Sequence, residues 1–293
     1  MDDTSIRWPT KTRQDQWAVW DSARLDNFQF RDNDIVIASY SKAGTTWTQH
    51  LVAQLIFQGD PGVFGPQRSI WPEFRGLSVD DWYALAAGMD HRRIIKTHSP
   101  IDSIPFRRDL KYLYVARDPR DVVWSMHHHA SNLTVAANNL VNDMPGRIGP
   151  EARLLDCDVV TFYHQFLDTG SVLDGSGPAN FWDHIKGWWS FRHLSNVHLV
   201  HYANLKADFE TEAHGIAAFL EMEIAEAVWP RIAANCSLEH MRGLSAKVDI
   251  FKYDVRGRRR DLHQQGREWS LAGCTFAGRN RQMRRNCGKG IER

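Results

Sequence analysis

The sequence predicts a single α/β domain, with a mostly parallel central sheet flanked by helices on both faces. Two observations carry that expectation. Short β-branched apolar runs alternate with stretches of helical period, and no composition shift or Pro/Gly/Ser-rich linker interrupts the 293 residues. The first run, DIVIASY (Asp34 to Tyr40), is apolar enough for a strand buried on both faces. Behind it Trp47, Leu51 and Leu55, with Val52 and Ile56 beside them, repeat at helical spacing, so a helix should open at Thr45 or Thr46. RRIIKTHSP (Arg92 to Pro100) is a strand running into a turn. In KYLYVARDPRDVVWSM the third strand covers Tyr112 to Ala116, after which Asp118 can cap a helix with Pro119 at its first position. NVHLVHY (Asn196 to Tyr202) is a fourth strand, with helical stretches NFWDHIKGWWSFRHL before it and DFETEAHGIAAFLEM after it. Between the first two strand units, Gly59 to Trp82 reads as a long loop-like insert, a kind of segment that often shapes substrate entry.

Composition narrows the function. Lysine and arginine number 36 against 35 aspartate and glutamate, so the chain is not built to wrap nucleic acid or coat an acidic membrane, and any basic site must be local. No apolar run approaches the roughly 18 to 20 residues of a membrane span, and the polar start is unlike a secretory signal. A cytoplasmic protein is expected. Cys157, Cys236, Cys274 and Cys287 are scattered with no C-x-x-C pair, the pattern of reduced thiols rather than a disulfide framework or a zinc site. His127 to His129 are consecutive, and consecutive helical positions point in different directions, so no metal is expected there.

In a parallel α/β sheet the ligand crevice lies outside the carboxyl ends of the strands. Lys42, Lys96, His98, Arg117 and Tyr202 all fall at or just beyond those ends, and nearly all suit a polyanion. The stretch SKAGTTW after the first strand is a phosphate-cradling loop with its lysine ahead of the glycine, and the glycine that begins the G-x-x-x-x-G-K-[ST] pattern is absent. Helix-start amides around Gly44 to Trp47 can still hold an anion, since their N–H groups and the positive dipole end face outward. The usual magnesium arrangement is not retained. Asp118 follows an apolar strand as a magnesium-holding aspartate would, but Pro119 behind it favours capping. His98 suits a general base because its ordinary pKa of about 6.5 leaves much of it neutral near pH 7, and turn-capping is the plainer alternative. Lys96, two residues earlier on a strand, projects to the same face.

SYSKAGTTW, IIKTHSP and YLYVARDPRDVVWSMHHH, followed by WDHIKGWWSFRHLSNVHLVHYANLKAD, resemble in order and approximate spacing the signatures of the cytosolic-type sulfotransferases, including bacterial aryl and alcohol sulfotransferases. The resemblance runs from about Asp34 to Met241. It implies a fold like that of the P-loop nucleotide hydrolases, and sulfuryl transfer from 3'-phosphoadenosine 5'-phosphosulfate to a hydroxyl or amine of a small organic acceptor, a phenol or alcohol above all, without a metal. It also implies roles. Lys42, Ala43, Gly44, Thr45, Thr46 and Trp47 would hold the 5'-phosphosulfate, with Lys42 neutralising charge on the bridging oxygen and Trp47 against adenine. Arg117 and Ser125 would hold the 3'-phosphate, Tyr202 would lie near adenine, His98 would be the base and Lys96 would assist at the transferring group.

The match departs from the family in three places. Ser41 replaces a customary proline, which predicts a looser turn. Ala203-Asn204 replace an acidic pair after Tyr202, which weakens the expected fixation of that loop. The tail, approximately 254–293, is arginine-dense and without apolar period. Its nearest match to the family's nucleotide-closing segment is TFAGRNRQMRR, making Gly278 and Arg279 the candidates, with Gly266 and Arg267 in HQQGREW competing. The usual short C-terminal dimer motif is not found there, so the oligomeric state is not readable. Two other functions stay open at this point: a nucleotide-binding homologue with impaired catalysis, and a P-loop kinase.

Overall fold

The computed structural model describes residues 6–172 and 180–247. Five strands form one sheet in the order β2-β3-β1-β4-β5, every neighbouring pair parallel. They are β1 (Ile35–Ser39), β2 (Ser69–Ile70), β3 (Ile94–Thr97), β4 (Lys111–Ala116) and β5 (Val197–His201). The helices are α1 (Thr45–Ile56), α2 (Val79–Ala87), α3 (Pro119–Ser131), α4 (Val135–Asn142), α5 (Val159–Thr169), α6 (Phe181–Ser190), α7 (Tyr202–Ala207), α8 (Phe209–Phe219), α9 (Trp229–Asn235) and α10 (Leu238–Lys247). The α/β class and the four long strands agree with the sequence. The insert after α1 does not stay a loop: it contains a 3-10 turn (Gly65–Arg68), the two-residue edge strand β2 and the start of α2. Two residues are too few to show a period, so alternation could not reveal β2.

Strand alternation divides the core between the two faces. Ile35 and Ile37 of β1 pack with Leu51 and Leu55 of α1, Ile216 of α8 and Ile232 of α9. Val36 and Ala38 face the other way, against Ile95, Tyr112, Tyr114 and Trp188 of α6. A third cluster, at the carboxyl edge of the sheet, joins Tyr40 and Ala43 to Val122 and Met126 of α3, Phe166 of α5 and Phe181 of α6. Trp188 is therefore core, whereas Trp189 beside it is exposed, as alternate faces of one helix require.

At the amino end of the sheet Arg93, just before β3, is paired with Asp34, just before β1, through two hydrogen bonds with both side chains buried. This pair anchors the end opposite the crevice. The register set from there, Ala38 beside Thr97, Ser39 beside Val115 and Ala116 beside His201, aligns the strand ends that carry the candidate residues.

Candidate active site

The loop from Tyr40 to Gly44 turns tightly. The Ala43 N–H donates to the Tyr40 carbonyl at 3.2 Å, and Lys42 sits at φ 68, in the left-handed region that non-glycine residues seldom occupy. Gly44 follows at φ 119, and a Cβ there would come within 2.7 Å of the Tyr202 ring. The replacement of proline by Ser41 has left the turn closed. Gly44 caps α1 without a side-chain hydrogen bond, so the first N–H groups of the helix have no cap of that kind and suit an anion. Helix α1 opens at Thr45 as expected, with the Thr45 hydroxyl engaged by Ser39 at 2.5 Å and Thr46 exposed.

Parallel register accounts for what stands beside this loop. Because Ser39 pairs with Val115, Arg117 arrives next to Lys42, and its guanidinium donates to the Lys42 carbonyl at 3.2 Å. Because Ala116 pairs with His201, Arg117 also meets Tyr202, lying 4.3 Å from the centre of its ring. Asp121, one helical turn on, lies 3.5 Å from Arg117, so its ion pair and its place in the crevice coexist. Trp47 touches Tyr202 edge-on with ring centres 5.4 Å apart, and its indole N–H donates to the Cys236 carbonyl at 3.0 Å. The segment after β5 is fixed despite its altered sequence: it forms α7, capped by His201 Nδ1 accepting from the Ala203 N–H. On α3, Asp118 caps the helix by accepting from the Arg120 N–H, and Ser125 and Val122 are both buried on its inner face.

Across β1 lies the second half of the site. Ala38 pairs with Thr97, so Ser39 and His98 follow side by side at the strand ends, and the His98 Nδ1 proton is donated to the Ser39 carbonyl at 2.8 Å. That bond leaves Nε2 as the ring's acceptor. Burial, then the nearby Lys96 charge, hold His98 well below the usual histidine range, so it is a neutral imidazole near pH 7. Lys96 places its ammonium 3.6 Å from the centre of the Trp71 ring, and burial together with Lys42 pushes it down to about 7. The rings of Trp71 and Trp20 approach His98 with centres at 5.3 and 5.8 Å. Behind the site His184 donates from Nε2 to the His98 carbonyl at 3.0 Å and accepts from the Tyr114 hydroxyl at 2.9 Å. Burial lowers His184 to about 4, which keeps it neutral in this role.

Comparison with known proteins decides the family. The family model for the sulfotransferase domain matches residues 32–269. The chain belongs to the sulfotransferase family. A glycolipid sulfotransferase of Mycobacterium bovis is 30% identical over 249 residues, covering 78% of this chain and 75% of that protein. A mouse sulfotransferase solved with PAP is similar in structure, with a TM-score of 0.52 and 25% identity over 75% of this chain and 69% of that one. A retinol dehydratase solved with androsterone and PAP shares the fold, with a TM-score of 0.58 and 22% identity over 76% of this chain and 69% of that one. The protein is thus a sulfotransferase of P-loop-like fold that moves a sulfuryl group from 3'-phosphoadenosine 5'-phosphosulfate to a small acceptor.

The structure brings several of the residues singled out in the sequence close to one another. The Lys42 charge acts on both Lys96 and His98, and Arg117 and Trp47 both meet the Tyr202 ring. The donor set fits a phosphosulfate nucleotide: an uncapped helix start, the cations Lys42 and Arg117, and two aromatic rings. Gly278 and Arg279, with the tail at 254–293, lie outside the described residues, and so do Gly266 and Arg267. The family match includes the latter pair and ends before the former. His127 Nε2 is bonded to the Cys157 carbonyl at 3.0 Å, and among the described residues no group of three or more His, Cys, Asp or Glu is placed to hold a metal. Sequence reasoning missed Trp20, Glu73 and His184, whose roles come from distant segments. Trp71 lies in the insert that reads as a loop in the sequence.

Proposed function

We propose that this sulfotransferase sulfates the hydroxyl of a small phenol or alcohol, or an amine, with His98 Nε2 as the general base. One observation carries the reading: the bond from His98 Nδ1 to the Ser39 carbonyl, which fixes the tautomer with Nε2 as acceptor on a ring that neighbours Trp71 and Trp20. The donor supplies an activated sulfuryl group on a stable nucleotide leaving group. Around it, Ala43 to Trp47 cradle the 5'-phosphate and Lys42 offsets charge that develops on the bridging oxygen, the kind of electrostatic contribution whose loss costs about 100- to 1000-fold in rate. Arg117 and Ser125 hold the 3'-phosphate, where a planar guanidinium suits phosphate oxygens better than a point charge. Trp47 and Tyr202 flank adenine, Lys96 steadies the sulfuryl oxygens during in-line attack, and Gly278 and Arg279 belong to the closing segment.

The acceptor class follows from the indoles. Trp71 and Trp20 give the base an apolar, aromatic surround that matches a ring-bearing acceptor better than an extended polyanion. No helix among the described residues is long and apolar enough to cross a membrane, and Cys157 and Cys236 are free thiols, which suits a cytoplasmic setting. The test is a panel of phenols, sterol alcohols, amines and glycans with sulfur-labelled donor. Donor-dependent labelling of phenols or alcohols supports the reading. Magnesium-dependent phosphate transfer from ATP, or tight binding of 3',5'-adenosine bisphosphate with no transfer to any acceptor, sinks it.

A further inference from the structure

Glu73 is wholly buried beside the crevice, on the loop after β2, and the transfer scheme gives it no task. Three donors converge on its carboxyl. One oxygen accepts from the Thr97 hydroxyl at 2.9 Å and the Ser99 hydroxyl at 2.5 Å, and the other accepts from the Trp71 indole N–H at 3.2 Å. Thr97 and Ser99 are the residues on either side of His98, and the Ser99 N–H donates to the Thr97 hydroxyl at 3.0 Å, which closes the turn carrying the imidazole. The indole held on the other oxygen is the one beneath the Lys96 ammonium and edge-on to His98. A single carboxyl therefore ties the base's turn to the surface on which the neighbouring cation rests.

The residue type fits that task. A carboxylate only accepts, with room for three donors, whereas a glutamine would turn its NH2 toward one of them. Stability alone does not explain an acid here. Burial, and the charge of Asp15, raise Glu73 to about 7 against the three hydrogen bonds, so the site tolerates an unfavourable group. The Glu73 charge in turn raises Lys96, against the burial and the Lys42 charge that lower it.

We propose that Glu73 is a positioning residue for sulfuryl transfer, acting through Thr97, Ser99 and Trp71 to hold His98 and Lys96 in line with the end of β1. The proposal rests on His98 being the base. It is tested on the full chain with Glu73→Gln, His98→Ala and the double variant, measuring kcat, acceptor KM, calorimetric affinity for 3',5'-adenosine bisphosphate, Tm, and the nitrogen NMR shifts of the ligand-free His98 ring. Glu73→Gln lowers kcat by about 10- to 100-fold, leaves nucleotide affinity within about twofold and keeps or raises Tm. The native ring shows one fixed tautomer, and the variant shows averaged shifts. In the double variant the two losses are less than multiplicative, because the part of the Glu73→Gln effect that acts through His98 is already gone. If Glu73→Gln does not fold, Thr97→Val with Ser99→Ala removes the opposing donors and gives the same kcat loss. Three results overturn the proposal: native kcat with native ring shifts, losses that multiply in the double variant, or nucleotide affinity and Tm falling in step with kcat. If His98→Ala turns over at the native rate, the base assignment fails, and the ring shifts alone decide whether Glu73 holds the imidazole.

Discussion

Gly44→Ala perturbs the loop at its narrowest point. Gly44 has φ 119 and ψ 12, a conformation that L side chains rarely adopt, and its absent Cβ would meet the Tyr202 ring at 2.7 Å and Val115 Cγ1 at 3.5 Å. Holding an alanine in such a backbone region costs about 1–3 kcal/mol, before any clash is relieved. Val115 is fully buried in the core, so the ring must give way. The ring is also where Arg117 lies at 4.3 Å and Trp47 at 5.4 Å. Moving it displaces Arg117 and Trp47 together, the residues proposed to hold the 3'-phosphate and to flank adenine. If the strain is relieved by opening the loop, nucleotide affinity falls by about 5- to 150-fold, the binding equivalent of that energy. Calorimetric titration with 3',5'-adenosine bisphosphate measures it, beside the control Gly215→Ala. Gly215 lies exposed in α8 with nothing near its missing Cβ, and alanine there stabilises by about 0.5–1 kcal/mol without touching binding. Affinity of Gly44→Ala within about threefold of native, at native Tm, would refute the close packing of loop and ring.

Three other outcomes are expected. His184→Phe leaves the Tyr114 hydroxyl and the His98 carbonyl without their partner, so stability drops by about 1–3 kcal/mol and kcat by about tenfold while nucleotide affinity holds, read by thermal melts and steady-state kinetics. Lys96 titrates near 7 in the fold against 10.5 for the free side chain, so the unfolded chain binds more protons between those values and stability rises with pH across that window. Lys96→Met removes that rise in denaturant melts taken from pH 7 upward. Arg93→Ala, at the end of the sheet away from the crevice, strands buried Asp34 and destabilises by about 3–5 kcal/mol, yet the folded protein keeps its native kcat.

The sheet was legible because its strands carry their signal locally. Ile35 to Ala38 and Tyr112 to Val115 are continuous apolar runs, and Trp47, Leu51 and Leu55 mark the helix that follows the first. Once four parallel strands were placed, their carboxyl ends necessarily shared an edge, so Lys42, Lys96, His98, Arg117 and Tyr202 converged without any distance being known. What stayed hidden depends on contacts between remote segments. Trp20 reaches His98 from 78 positions away in the chain, and Glu73 reaches Thr97 and Ser99 from a loop whose two-residue strand has no period of its own. The Ala203-Asn204 substitution suggested a loosened loop because the capping by His201, and the helix it starts, lie in backbone geometry rather than in the acidic pattern.

The central claim is that His98 Nε2 removes the acceptor proton. It is tested most directly by the single-turnover rate of sulfuryl transfer in His98→Gln at saturating donor and acceptor. The account predicts a fall of about 100-fold or more, with affinity for 3',5'-adenosine bisphosphate unchanged. A rate within about threefold of the native protein would contradict it.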